Sequence, residues 1–150
     1  MTTRTARGCG RLQVTVRGEP LAVGRCHCDF CQKRTGSVFG ISAVFGDDQL
    51  VEITGEVKVY NGLKIDGVGA GPYADAGVDY HFCPTCGLTL YWSSDAMPVL
   101  LMAAGNFVDP GFPAPTTEAY TQLCHDWVSP IPGAMQFETF PPALESRDKQ

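Results

Sequence analysis

The chain predicts a single, mainly β domain with one short helix, and three observations carry that expectation. Short apolar segments alternate with polar residues at period two, the spacing of a half-buried strand. Seventeen glycines and eleven prolines among 150 residues interrupt any longer periodicity, which argues against long helices. At 44% hydrophobic content the chain is rich enough in apolar residues to bury a core of its own, and no repeat or long linker divides it.

The elements follow in order along one domain spanning residues 1–150, with a core expected over about 8–128. Leu12-Gln13-Val14-Thr15-Val16 alternates as a strand, and Gly18-Glu19-Pro20 turns the chain. Asp29 to Thr35 carries good helix formers, with Gly36 placed to stop them. Val38 to Phe45, Leu50 to Thr54, Val57 to Tyr60, Val78 to Phe82, Leu88 to Trp92 and Val99 to Ala103 are the further strands. Breaks such as Gly46-Asp47-Asp48 and Gly55-Glu56 separate them. Asn61 to Gly77, with five glycines and Pro72, reads as an extended loop, either a flap over a site or an exposed hairpin tip. Prolines 130, 132, 141 and 142 predict an extended strap over 129–143, and the polar end, 144–150, reads as disordered.

The cysteines carry the chemistry. Cys26-His27-Cys28-Asp29-Phe30-Cys31 is a CxCxxC island, Cys83-Pro84-Thr85-Cys86 a CxxC knuckle, and Cys9 stands alone near the start. Zinc is held by thiolates at about 2.3 Å in a tetrahedral shell, so three cysteines within six residues can wrap one ion and leave a corner open. A disulfide framework fits poorly, because the count of seven is odd and Met1 to Arg7 leads into no apolar segment of a secretory signal. A thioredoxin-type pair at Cys83 and Cys86 lacks the βαβ context it needs. Reduced thiols at metal spacing suit a reducing compartment, so cytoplasm is the expectation. No apolar run reaches the 18 residues of a membrane span. A net charge of −5 with no basic stripe disfavours nucleic acid, whose binding rests on phosphate neutralisation.

With these motifs in view, the chain resembles the glutathione-dependent formaldehyde-activating enzyme and centromere protein V family. The resemblance runs from Gly8-Cys9-Gly10 through Cys26 to Ser37 and His81 to Gly87, then Ala104 to Pro110, and ends at Trp127. It implies a coiled β-sheet zinc fold related to methionine-R-sulfoxide reductases. It also implies a catalytic zinc on Cys26, Cys28 and Cys31, and a structural zinc completed by Cys83 and Cys86 with an N-terminal CxC pair. The implied reaction is condensation of glutathione with formaldehyde, formally a carbon–sulfur lyase in reverse. The chain departs from the pattern at Arg7, where the family's pair would place a cysteine, so the second site keeps Cys9, Cys83 and Cys86 and lacks its fourth thiolate. His81, His125, Cys124 or water are the candidate replacements, or that zinc is absent.

The residues themselves favour thiol chemistry. A zinc with three thiolate ligands is electron-rich, so its open corner suits an incoming thiol, whose thiolate then adds to a small aldehyde. Glutathione carries two carboxylates, and Lys33 and Arg34, directly after Cys31, are the nearest cations to meet them; a solvated helix face is the other reading of that pair. His27 either shuttles a proton or points away from the site, as alternation in a CxC segment allows. The rival to an enzyme is a zinc-stabilised binding or chaperone-like module. A fourth protein ligand at Cys26, Cys28 and Cys31 would favour it.

Overall fold

The computed structural model describes residues 1–62, 77–95 and 97–141. It is mainly β, with eleven strands in two sheets among the described residues. The small sheet has the order β1-β2-β5, from β1 (Thr3–Arg7), β2 (Gln13–Arg17) and β5 (Leu50–Thr54). The larger sheet runs β11-β10-β3-β4-β9-β8-β7-β6. Its members are β3 (Ala22–Cys26), β4 (Gly40–Gly46), β6 (Lys58–Asn61), β7 (Asp79–Phe82), β8 (Thr89–Ser94), β9 (Met97–Ala103), β10 (Thr117–Ala119) and β11 (Met135–Gln136). Most neighbours are antiparallel, but β10 lies parallel to both β3 and β11.

One core cluster takes residues from both sheets. Ala6, Val14 and Val16 of the small sheet pack with Val23, Ala43, Phe45, Leu90, Tyr91, Leu100 and Met102 of the large one. In β2 the expected alternation appears directly, with Val14 and Val16 fully buried between half-buried Gln13 and Thr15. Burying a side chain such as Phe45 or Leu90 contributes about 1.5–3 kcal/mol. Gly55, at φ 98°, lies so close to the Arg11 carbonyl that a methyl there would stand 1.8 Å from its oxygen, so this approach of the chain ending β5 to the start of β2 needs glycine.

The expected helix appears as α1 (Asp29–Thr35), and Gly36 ends it in the left-handed conformation, its N–H bonding the Gln32 carbonyl. The helix docks on the sheet through aromatic contact, with Phe30 and Tyr80 ring centroids 4.8 Å apart and Arg34 stacked 4.3 Å over Trp92. All seven expected strands are present, Leu50–Thr54 with the expected bounds and the other six with shifted ends. Four others, β1, β3, β10 and β11, were not among the expectations. The expected loop begins as the end of β6 at Asn61, and residues 63–76 lie outside the described residues, as do 142–150. After Trp127 the chain turns at Ile131 to Ala134 and adds β11 beside β10.

Candidate metal centre

Two elements bring Cys26, Cys28 and Cys31 together. Strand β3 ends on Cys26, and Cys28 is the N-cap of α1, its Sγ accepting the Cys31 N–H at 3.3 Å. Cys31 lies in the first helical turn, as the spacing predicts. The three sulfurs lie within 4.8 Å of one another. Thiolates on a tetrahedral zinc at about 2.3 Å are separated by about 3.8 Å, so the group is of a size consistent with that ion.

Electrostatics point the same way. Hydrogen bonds from the Cys26 and Cys31 thiols, working against burial, hold Cys28 down to about 3. The Cys28 and Cys31 sulfurs push Cys26 far up. Cys31 is favoured as thiolate by Cys26, but Cys28 and burial outweigh this and push it up to about 12. Three anions this close repel, so the sulfurs alone hold one negative charge, and a cation between them would displace the remaining protons.

His27, between two of the cysteines, is wholly buried and turned away from them. Its Nε2 lies 2.9 Å from Glu118 Oε1, the second of the two orientations open to it from sequence. Glu118, in β10, is the cross-strand partner of Arg25 in β3. The Arg25 guanidinium bonds Glu118 Oε1 and donates to the Ser129 carbonyl at 2.7 Å. Glu118 Oε2 accepts from the Ile131 N–H at 2.8 Å and Gln136 Nε2 at 2.7 Å. Burial alone would raise the Glu118 carboxyl. The bonds from Gln136, His27, Ile131 and Arg25 overcome it and hold the group down to about 2. Gln32 adds a tie from the helix, donating to the His27 carbonyl at 2.9 Å.

The two expected cations differ. Lys33 is exposed, its ammonium 3.9 Å from Asp29. Arg34 is half-buried on Trp92, and its Nε and one terminal nitrogen are hidden from solvent with no acceptor among the described residues. A methyl added at Gly40, the cross-strand partner of Cys26, would stand 2.8 Å from that nitrogen and 3.3 Å from Cys31 Cβ. The guanidinium therefore lies beside the cysteines, and its charge favours the Cys31 thiolate.

Cys9, Cys83 and Cys86 also form a group, with sulfurs within 4.8 Å and Cys9 Sγ 3.8 Å from Cys83 Sγ. Cys83 is buried while Cys9 and Cys86 are exposed. The knuckle turns at Gly87, whose N–H bonds the Cys83 carbonyl at 2.8 Å. Backbone N–H groups of Leu88 and Cys9 hold the Cys86 thiol down to about 7. Each triad could hold a metal ion. Among the described residues neither gains a fourth histidine, acidic or cysteine ligand. His81 stacks on Tyr91 and reaches Ser93 at 3.3 Å, His125 Nε2 lies 3.2 Å from Gln32 Oε1, and the Cys124 thiol faces the His125 and Val128 carbonyls. Arg7 ends β1 opposite Gln13 and lines a surface cleft with Thr5, Gln13, Asn106 and Phe107.

Sequence reasoning missed three residues at the first triad. Glu118 falls in a segment given no element from sequence, and Trp92 gave no signal beyond an ordinary strand position. Tyr120, buried in one cluster with Cys28 and Ala119, has no motif of its own.

The family model described as glutathione-dependent formaldehyde-activating enzyme matches residues 3–123. No individual curated protein matches the chain.

Proposed function

The chain belongs to the glutathione-dependent formaldehyde-activating enzyme family, and from that premise we propose that it is a zinc-dependent, carbon–sulfur lyase-type enzyme adding a low-molecular-weight thiol such as glutathione to formaldehyde or a related aldehyde. The single observation that carries the reading is the Cys26, Cys28 and Cys31 triad, whose sulfurs lie within 4.8 Å and which no fourth protein ligand joins among the described residues. A binding module with a purely structural zinc would call for that fourth ligand.

Zinc on these three thiolates would supply one open position at which a thiol loses its proton near neutral pH. The protein's own groups do the rest. Cys28 as N-cap fixes the sulfur geometry, because its Sγ is bound to the helix backbone. Arg34 brings its guanidinium charge to the same sheet face as Cys26, where it would attract a carboxylate of the thiol ligand. Lys33, exposed one residue earlier, meets the second carboxylate from solvent. Cys9, Cys83 and Cys86 could hold a second, structural zinc, and any ion there would be bound more weakly for want of the thiolate that Arg7 replaces.

Cobalt substitution tests the reading. Thiolate-to-cobalt charge-transfer intensity should grow when glutathione is added to wild type and stay flat in Cys28→Ser. A spectrum unmoved by thiols while the metal stays bound would sink the enzyme reading in favour of the binding module.

A further inference from the structure

Tyr120 has a left-handed backbone, with φ 53° and ψ 45°. Only one other non-glycine residue among those described shares a positive φ, Val108, and that one is 83% exposed. A left-handed L residue costs about 1–2 kcal/mol, and such a conformation persists where its surroundings over-determine it. Tyr120 is fixed from both sides. Its N–H donates to the Thr139 carbonyl at 3.1 Å, and its carbonyl accepts the Leu123 N–H at 3.0 Å.

The turn has a consequence for the side chain. Successive side chains of an extended strand point to opposite faces, yet Ala119 and Tyr120 are both buried. They share one cluster with Cys28, and Cys26, Cys31, Phe30 and Phe140 pack against it. A strained aromatic is thus held beside the triad with a hydroxyl as its polar handle.

We propose that Tyr120 is a catalytic residue, its hydroxyl donating a hydrogen bond to the aldehyde oxygen beside Cys26, Cys28 and Cys31. The inference rests on the thiol-addition reading and supplies what that reading leaves open. Three thiolates make a poor Lewis acid of any metal they hold, so something else must meet charge developing on the carbonyl oxygen. As the thiol sulfur forms the C–S bond, the C=O π pair moves onto oxygen, where Tyr120 donates. The proton shed by the thiol reaches that oxygen through solvent, so thiol plus aldehyde gives a hemithioacetal with no oxidant or reductant.

Tyr120→Phe in the metal-loaded protein keeps the ring and removes the donor. Exchange of glutathione with formaldehyde, followed by NMR with the spontaneous reaction subtracted, should slow on the order of 10²-fold in kcat. The cobalt charge-transfer titration with glutathione and the melting temperature should both match wild type. A kcat within about threefold of wild type overturns the proposal, as does loss of thiol binding or stability in step with rate, which would mark a packing role. A wild-type protein that binds thiol yet never exceeds the spontaneous rate overturns it while sparing thiol binding. One that binds no thiol sinks the underlying reading as well.

Discussion

The two cysteine triads have the same donor set and opposite surroundings. Cys26, Cys28 and Cys31 sit where β3 meets α1, backed by the buried group of Arg25, His27 and Glu118. Cys9, Cys83 and Cys86 have two of their three members exposed, and Arg7 stands where the sequence resemblance implies a fourth cysteine. The difference teaches that three sulfurs at metal distance do not define a site by themselves. Backing decides how far a ligand set is pre-formed, and therefore how much of the binding energy is spent ordering it.

The strongest way to break the contrast is to remove a backed ligand. Cys28→Ser takes away a sulfur while its hydroxyl can still cap α1, so zinc should fall by one per chain by elemental analysis, and the melting temperature should fall by the stability linked to that metal. An unchanged zinc content would leave the first triad no better founded than the second.

Next in size is the backing itself. Glu118→Ala leaves the Arg25 guanidinium buried without its counter-ion, which should cost about 3–5 kcal/mol in denaturant unfolding and loosen zinc at the first triad alone. A matching loss at the second triad would show that the network supports the whole fold rather than one site.

Acid gives a graded form of the same test. Because the Glu118 carboxyl is held down to about 2 from an ordinary 4.5, its contribution is full above pH 4.5 and fades as the pH falls toward 2. The stability gap between wild type and Glu118→Gln, followed by urea unfolding, should therefore narrow across that window. A constant gap would place the energy in shape rather than charge.

Arg7→Cys sharpens the contrast from the other side. With a fourth thiolate the exposed triad should retain zinc against a chelator and raise the melting temperature by a few degrees, while glutathione binding at the first triad stays as it was. No gain in metal or stability would mean that this corner is built without zinc. Lys33→Ala should have the smallest effect, within about 0.5 kcal/mol on stability, since its pairing with Asp29 is long and exposed.

How legible these features were follows from what each depends on. The helix over Asp29 to Thr35 and its stop at Gly36 could be read because cap, composition and left-handed glycine are local signals. The first triad could be read because six residues contain it. Strands β3 and β10 escaped notice because Arg25 and Glu118, a buried ion pair, stand at inward positions where alternation expects apolar residues, leaving only Val23 and Ala119 as buried apolar positions. Strand β1 escaped because Ala6 is its only buried side chain, so pairing with β2 carries it. The fourth ligand of the exposed triad was sought in His81, His125 and Cys124; long-range pairing takes the two histidines elsewhere, and Cys124 bonds carbonyls of its own turn. Tyr120 could not be read at all, since nothing in a tyrosine announces a positive φ.

The carboxylate of Glu118 also sets an order of events during synthesis. Its hydrogen-bond donors come from Arg25 and His27 on one side and from Ile131 and Gln136 on the other, so the full set spans more than a hundred residues. As the chain leaves the ribosome, the CxCxxC island emerges early and can capture metal with its own local turn. The acid that anchors it comes some ninety residues later, and the last donors later still. Contacts of such separation form slowly, because the loop must close before they contribute. A nascent chain stalled near residue 123, the end of the family match, would therefore hold the cysteines and the acid but lack the Ile131 and Gln136 donors that settle its charge. Metal captured at that stage should exchange freely, and become slow to leave only once β11 pairs beside β10.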